Sequence, residues 1–180
     1  MPGTQVKAAI ASYLQSGMAA NGGPIPLLNA VISNPPRFVG EFVAYSGQGP
    51  GANSSGAIIW LSLGAQGARQ ITEQGQPAGG KMYWYEMKLQ CVLLSTRRKT
   101  EDAANDNDLF VDGLCEWIDH DKNAGTGYPN GLIFQWGQGR YPSGGDDILF
   151  ERGWPKPRKQ GPSHVYTKGT VIANEWHANY

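Results

Sequence analysis

The sequence lacks an excess of charge of either sign. Its 180 residues carry 15 lysines and arginines against 15 aspartates and glutamates, so the formal net charge at pH 7 is zero. A protein that binds mainly the phosphate backbone of nucleic acid, or an anionic membrane surface, usually has a marked positive excess. The charge balance therefore offers no simple argument for either class of protein.

Long hydrophobic runs are also missing from the sequence. A membrane-spanning helix needs about 20 consecutive apolar residues. The uncharged stretch 42–68 is interrupted by Gly, Gln, Ser, Asn and Pro, so no window approaches that length. The first residues show no basic segment followed by an apolar run and a small-residue cleavage site. We therefore expect neither a membrane span nor a secretory signal.

Cysteine is scarce, and the usual catalytic motifs do not occur. Cys91 and Cys115 are isolated, which argues against structural zinc and favours reduced thiols in the cytosol. The one cluster that resembles a metal site is Asp119-His120-Asp121. Consecutive helical residues point about 100° apart, so we interpret it as a solvated turn. Without a nucleophile–base pair, P-loop or metal motif, the sequence predicts no enzyme activity and no metal or cofactor.

Aromatic residues, glycine and proline are abundant. Six Trp, eight Tyr and five Phe provide material for a hydrophobic core, while 25 Gly and 12 Pro favour long loops. The length fits one domain spanning residues 1–180, with possible extended loops at residues 22–36 and 139–162. Four tryptophans can be read either as exposed sugar-stacking platforms or, more commonly, as core or interface anchors. They are Trp84, Trp136, Trp154 and Trp176.

Hydrophobic spacing predicts two helices. The first covers residues 4–18, and the second covers residues 100–121. In the second helix Phe110, Leu114 and Trp117 lie on one apolar stripe, and acidic residues fill the opposite face. Its candidate N-cap is Thr100.

Alternating polarity predicts a long strand at residues 81–95. Two earlier segments, 37–45 and 57–63, are rich in β-branched and apolar residues, and the apolar residues between 25 and 32 suit a short turn of helix. Further strands are expected at residues 131–136, 146–151 and 165–176. This order predicts an α+β fold, with an antiparallel β-sheet, helices packed on one of its faces, and long Gly/Pro-rich loops.

Several charged residues fall outside any catalytic pattern. A basic turn precedes the acidic helix, and a second basic loop lies near the C-terminus. Such segments are either solvated or provide complementary contacts between subunits, and the first could also line a channel for DNA. The candidate subunit-interface or lumen contacts are Arg97, Arg98, Lys99, Asp112, Glu116, Lys156, Arg158 and Lys159.

One ordering of motifs covers most of the chain. An amphipathic helix at 5–18 precedes the long strand and a helix that begins Thr-Glu-Asp-Ala-Ala and continues Leu-Phe-Val-Asp-Gly-Leu. A Gly-rich exit, a strand ending in Gln-x-Gly-x-Gly at 135–139 and a C-terminal strand at 169–176 follow. In this order the sequence resembles the tail terminator, or tail completion, proteins of long-tailed bacteriophages.

The resemblance implies an antiparallel sheet with helices on one side, in a ring of identical subunits, most often six. Such a ring caps the tail tube and joins it to the head–tail connector or neck protein, without enzyme activity or cofactor. DNA passes through the lumen only in transit, no membrane is involved, and the protein resides in the virion after assembly in the host cytoplasm. The loops at 66–80 and 139–160 are candidates for axial contacts. A head-closure or neck adaptor protein and, in another class, a carbohydrate-binding module stay open as alternatives.

Overall fold

The protein is described by a computed structural model that covers residues 3–48, 53–71, 80–121, 132–136, 148–156 and 162–177. The helices of this part of the chain are α1 (Gly3–Ser16), α2 (Val39–Ser46) and α3 (Thr100–His120), with a 3-10 turn at Ala19–Asn21. The strands are β1 (Leu28–Ile32), β2 (Ser55–Ile71), β3 (Gly80–Ser95), β4 (Leu132–Trp136), β5 (Ile148–Glu151) and β6 (Ser163–His177).

All six strands belong to one mixed sheet. Its order is β1-β2-β3-β6-β4, and β5 pairs with β6 at residues just before those that pair with β4. Every pair is antiparallel except β1 with β2, which is parallel. The pairing of β2 with β3 extends from Ser55 opposite Ser95 to Ile71 opposite Gly80, with an irregularity between Leu63 and Gln66. This long pair and β6 form the centre of the fold.

The main core lies between one face of the sheet and helices α1 and α3. We call this the closed face. Residues of β3 that point to it alternate with residues that point away, as the two-residue period of a strand requires. Its largest fully buried side chains include Ile10 and Leu14 of α1, Phe110 of α3, and Met87, Leu89 and Leu93 of β3.

Helices α1 and α3 are also joined by a reciprocal pair of hydrogen bonds. The Tyr13 hydroxyl donates to the Trp117 carbonyl at 2.8 Å, and the Trp117 indole N–H donates to the Tyr13 carbonyl at 3.1 Å. The two rings stack with centroids 4.8 Å apart. Burial, and secondarily the charge of Asp121, raise the pKa of the Tyr13 phenol to about 12.

Helix α2 packs on the opposite face of the sheet. Ile58, Val92 and Leu94 form a second, smaller core there with Phe42 and Val43 of α2. The backbone approaches closely at this junction, because a Cβ on Gly56 would lie 2.0 Å from the Ser46 carbonyl oxygen. Glycine is therefore required where β2 meets the end of α2.

The expected α+β class is confirmed, and the two predicted helices and the strand at 81–95 lie where the periodicity placed them. Two details differ from the expectation: the pairing of β1 with β2 makes the sheet mixed, and α2 lies on the other face from α1 and α3. The cause is that the connection containing α2 crosses over from β1 to β2, so the two strands run parallel, and that the apolar side of α2 covers side chains pointing away from the main core. The N-cap of α3 is Lys99 rather than Thr100.

Two local predictions were wrong. The apolar residues between 25 and 32 form strand β1 instead of a turn of helix, because their backbone pairs with β2 and Leu28 is buried in the main core. Residues 37–45, which have a strand-like composition, contain most of α2. This helix ends at Gly47, which adopts the left-handed conformation at φ 70° that commonly ends helices.

The predicted loops overlap regular structure in part. Residues 22–36 contain β1, residues 66–71 belong to β2, and residues 148–151 form β5. The rest of these predictions falls mainly on 72–79, 139–147 and 157–161, which lie outside the described residues.

Candidate functional site

Within the described part of the chain, α2 covers one end of the face of the sheet opposite α1 and α3. We call the remainder, formed by β3, β5 and β6, the open face. It holds a depression of about 320 Å³. The depression is lined by Lys88, Gln90, Leu149, Glu151, Lys168, Gly169 and Thr170.

Strand register brings these residues together. Lys88 pairs with Thr170, and Gln90 pairs with Lys168, across β3 and β6. On the other side of β6, Leu149 pairs with Thr170 and Glu151 with Lys168. Residues directly opposite each other in an antiparallel pair share one face, so these side chains form one continuous surface.

Aromatic and apolar side chains border the depression. The rings of Trp60 and Tyr166 lie 6.2 Å apart, and the Tyr166 hydroxyl donates a hydrogen bond to Gln90. Leu149 is 62% exposed and Tyr166 37% exposed. Trp154 is 82% exposed. Its neighbour Gly153 packs so closely on β6 that a Cβ there would lie 2.0 Å from the Tyr166 carbonyl oxygen, which places Trp154 beside the open face. Large exposed apolar groups in one region are typical of a contact surface.

The charges on the open face are mixed, with more lysine than glutamate. Lys88 lies 3.6 Å from Glu86, and Lys168 stands opposite Glu151. Lys156 is exposed, and its backbone pairs with that of His164 in an isolated antiparallel β-bridge. His164 and Tyr166 are two positions apart on β6 and share one face of the sheet, so Lys156 lies on that face too. The surface thus combines apolar anchors with cationic side chains.

The outward side of α3 has the opposite character. We call it the acidic face, and it lies on the other side of the sheet from the open face. Its exposed residues are Glu101, Asn105, Asp108, Leu109, Asp112, Glu116, Asp119 and His120. Leu109 is 56% exposed in the middle of these acids, so it lies outside the core and is accessible to another molecule.

Arg152, at the end of β5, neutralises part of the acidic face. Its guanidinium donates to Asp108 at 2.7 Å and to Asp112 at 2.5 Å. This fork joins α3 to the edge of the sheet. Glu116 lies beyond its reach and has no ion pair among the described residues.

The basic turn before α3 is divided between structural and exposed residues. The Arg97 side chain donates to Asp106 at 2.7 Å, and its backbone N–H donates to the Ser95 hydroxyl at 3.2 Å. The Ser55 hydroxyl donates to the same Asp106 carboxylate at 2.5 Å. Arg97 is therefore part of a network that joins β2, β3 and α3, whereas Arg98 and Lys99 are exposed.

The residues predicted from charge are consequently not in one place. Arg97, Arg98 and Lys99 lie at the basic turn, Asp112 and Glu116 on the acidic face, and Lys156 on the open face. Arg158 and Lys159 lie outside the described residues. The prediction missed Lys88, Lys168, Tyr166, Leu149 and Arg152. The alternation of polar and apolar residues assigns Lys88 and Lys168 to the polar sides of β3 and β6. It does not show how the two strands pair, and that register is what brings the two lysines together.

The tryptophans predicted as platforms or anchors also divide. Trp154 is exposed beside the open face and Trp84 is half-buried, while the side chains of Trp136 and Trp176 lie outside the description. Trp60, which the sequence did not single out, lies against Tyr166.

The thiols and the metal-like cluster have unreactive surroundings. Burial raises the pKa of both Cys91 and Cys115, so both are protonated near neutral pH and are weak nucleophiles. His120 stacks on Trp117 with ring centroids 5.3 Å apart. In the part of the chain that the structure describes, no group of three or more His, Cys, Asp or Glu side chains could hold a metal ion. No described helix is long and apolar enough to cross a membrane.

No protein-family model matches this chain, and no curated protein matches it by sequence. Because one fold can support many functions, the function has to be argued from the surfaces themselves. The features that bear on function are the exposed apolar residues with unlike charges on two opposite sides of the molecule.

Proposed function

We propose that this protein is a tail terminator of a long-tailed bacteriophage. In this proposal, identical copies form a ring that caps the tail tube and joins it to the head–tail connector. Its partners are other copies of itself, the tail tube protein and a connector or neck protein, with DNA passing through the lumen. The protein acts as a structural component of the virion and has no reaction to catalyse.

The order of elements supports the proposal. The motifs that carry the resemblance lie on α1, β3, α3, β4 and β6, in that order along the chain. Strands β3 and β4 both pair with β6, and α1 and α3 pack on the same face of the sheet. An arrangement of elements is not itself a function, so the surfaces must also support the proposal.

The observation that carries the proposal is the exposure of large apolar residues on two opposite sides of one subunit. Leu109 projects from the acidic face, and Leu149 and Trp154 lie at the open face or beside it. Single exposed apolar residues also occur on monomeric proteins, but a ring requires two unlike surfaces on every subunit, and these residues give each of two opposite sides an apolar contact point.

The test is the mass of the particle in solution together with its activity on tail tubes. Light scattering and negative-stain microscopy should show rings whose mass is a multiple of the 19.5 kDa chain. Incubation with tail tubes that lack a cap should place the protein at the head-proximal end and stop further polymerisation. A monodisperse monomer that associates with neither tubes nor connectors would overturn the proposal.

A neck adaptor is the alternative within virion assembly. It differs in the partner that it binds, because an adaptor attaches to the connector and leaves the tube end open to further subunits. Binding to isolated connectors without any effect on tube length would therefore favour the adaptor.

One observation favours a function of a different class, a carbohydrate-binding module. Trp60 and Tyr166 lie side by side, Gln90 is hydrogen-bonded to the Tyr166 hydroxyl, and the depression is open to solvent. Sugars stack on such rings and hydrogen-bond to neighbouring amides. Titrating oligosaccharides against tryptophan fluorescence, with Tyr166→Ala as the control, tests this function. A signal that persists in that variant, or no signal at all, would argue against it.

A further inference from the structure

The open face and the acidic face are complementary in charge. The open face carries Lys88, Lys156 and Lys168 against Glu86 and Glu151. The acidic face keeps a negative excess even though Arg152 neutralises part of it. Surfaces of unlike charge attract and orient each other, while two acidic faces would repel.

The two faces are also complementary in their apolar residues. Leu109 stands exposed among acids, and on the open face Leu149 and Tyr166 stand exposed among lysines. Binding energy at protein interfaces is concentrated in apolar and aromatic anchors surrounded by polar groups. Each face therefore has an anchor that its own subunit does not bury.

We propose that the open face of one copy receives the acidic face of the next copy, with Leu109 seated against Leu149 and Tyr166. In this contact Glu116 faces the lysines of the neighbouring open face. The occupant of the open face is thus a second copy of this chain, an assignment that rests on the proposed ring function.

The positions of the two faces determine the symmetry of such a contact. Helix α3 packs on one side of the sheet, and the open face lies on the other. The same patch does not meet itself, so the contact is heterologous and leaves one unused face at each end of a row of copies. Both faces of every copy are occupied only if the row closes into a ring or grows into a continuous filament.

Paired charge-reversal variants test this contact. The first variant, Asn105→Lys with Glu116→Lys, changes the charge of the acidic face by about +3 and keeps Leu109. The surroundings of Leu109 become positive, because two lysines and Arg152 then stand against Asp108 and Asp112. The second, Lys156→Glu with Lys168→Glu, makes the open face negative. All four residues are exposed, so both variants should keep their fold, which circular dichroism and thermal melting check. The matched control for the second variant, Lys7→Glu with Arg37→Glu, makes the same change in net charge at residues outside the proposed contact.

Each variant alone should fail to form rings, with subunit affinity reduced about tenfold or more. An equimolar mixture of the two should assemble again, because the positive region around Leu109 of one variant meets the negative open face of the other. A single chain carrying all four substitutions should also assemble by itself. The Lys7 and Arg37 control should assemble like the unmodified protein.

Other results would overturn the inference. If the variants assemble as well as the unmodified chain, or if neither mixing nor the four-substitution chain restores rings, the subunits meet through different surfaces. Capping of tail tubes by the unmodified ring would then leave the proposed function intact. A protein that stays monomeric even with tail tubes present would overturn both the contact and the function. Saturable binding of an oligosaccharide at the open face of a monomer would also overturn both the contact and the function.

Discussion

Strand β3 contributes to two very different surfaces. On the closed face Met87, Leu89 and Leu93 are fully buried under α1 and α3. On the open face the intervening Lys88 and Gln90 line a solvent-filled depression. A single strand therefore provides the centre of the core and the centre of a candidate interface, because successive side chains point in opposite directions.

The difference between the faces indicates what each does. The closed face is mainly apolar and is covered by two helices, so it is the main source of stability. On the opposite face α2 covers only Ile58, Val92 and Leu94. Residues beyond that small core contribute little to folding and remain available for contacts with other molecules.

The largest expected effect comes from the closed face. Phe110→Ala should lower the free energy of unfolding by about 3–5 kcal/mol, because Phe110 is fully buried and its removal leaves a cavity. Urea denaturation followed by circular dichroism measures this loss. Tyr166→Ala, on the open face, is the matched control and should cost less than half as much. Equal losses in the free energy of unfolding for the two variants would contradict the conclusion that the closed face is the main source of stability.

The next effect concerns a buried polar contact on the closed face. The Tyr85 hydroxyl donates to Glu175 at 3.2 Å, and Tyr85→Phe should cost about 1–3 kcal/mol because a buried carboxyl group loses a donor. Burial, with the nearby charge of Glu175, raises the pKa of Tyr85 to about 12. Chemical denaturation at neutral pH measures the loss, and a Tyr83→Phe variant serves as the control for removing a less buried phenol.

The same phenol predicts a pH dependence of stability. Its folded-state pKa lies above the ordinary tyrosine value of about 10, so its contribution is complete below pH 10 and is lost as the pH rises towards 12. Tyr13 behaves in the same way. Burial also raises the pKa of Tyr166, so ultraviolet absorbance of ionised tyrosine should show the phenols of Tyr13, Tyr85 and Tyr166 titrating late, and thermal stability should fall over that range. Ionisation of every tyrosine near pH 10 in the folded protein would contradict this prediction.

A smaller effect is expected at the edge of the sheet. Arg152→Ala removes the fork between β5 and α3 and should cost about 0.5–1 kcal/mol, since the pair is exposed and screened by solvent. The loss should shrink at high salt, which thermal melts at two ionic strengths would show. Arg152→Lys keeps the charge but not the bidentate geometry and should recover only part of the loss.

The smallest effect on stability is expected at the centre of the open face. Leu149→Ser should change the free energy of unfolding by no more than about 0.5 kcal/mol, because Leu149 is already exposed. Ring formation should nevertheless weaken, as the variant removes an anchor. Denaturation and light scattering on the same samples check both halves of this expectation, and a loss of fold without a loss of assembly would contradict it.

Sequence patterns predicted strand β3 and helix α3 correctly, found only part of β2, and gave the wrong type of structure for β1 and α2. Strand β3 and helix α3 have 16 and 21 residues, so their periodicity is repeated often enough to be unambiguous. Strand β1 has five residues and α2 has eight, which is too short for period to distinguish helix from strand. There the neighbouring strand β2 and the small core around Ile58 decided the conformation.

The candidate site was predictable only in part. The charge pattern predicted Glu116 and Lys156 as contact residues. It predicted the same role for Arg97, whose side chain is hydrogen-bonded to Asp106 within the subunit. Lys88 and Lys168 are 80 positions apart in the chain, and only the register of β3 with β6 places them in one depression.

Local chemistry was therefore enough to specify the amphipathic helices, the long alternating strand and the α+β class, because each depends on the spacing of neighbouring residues. The side of the sheet taken by α2, the parallel entry of β1 and the meeting of two distant lysines depend on pairing between segments far apart in the chain. Such pairing is selected by the burial of the whole core, so it exists only in the folded molecule.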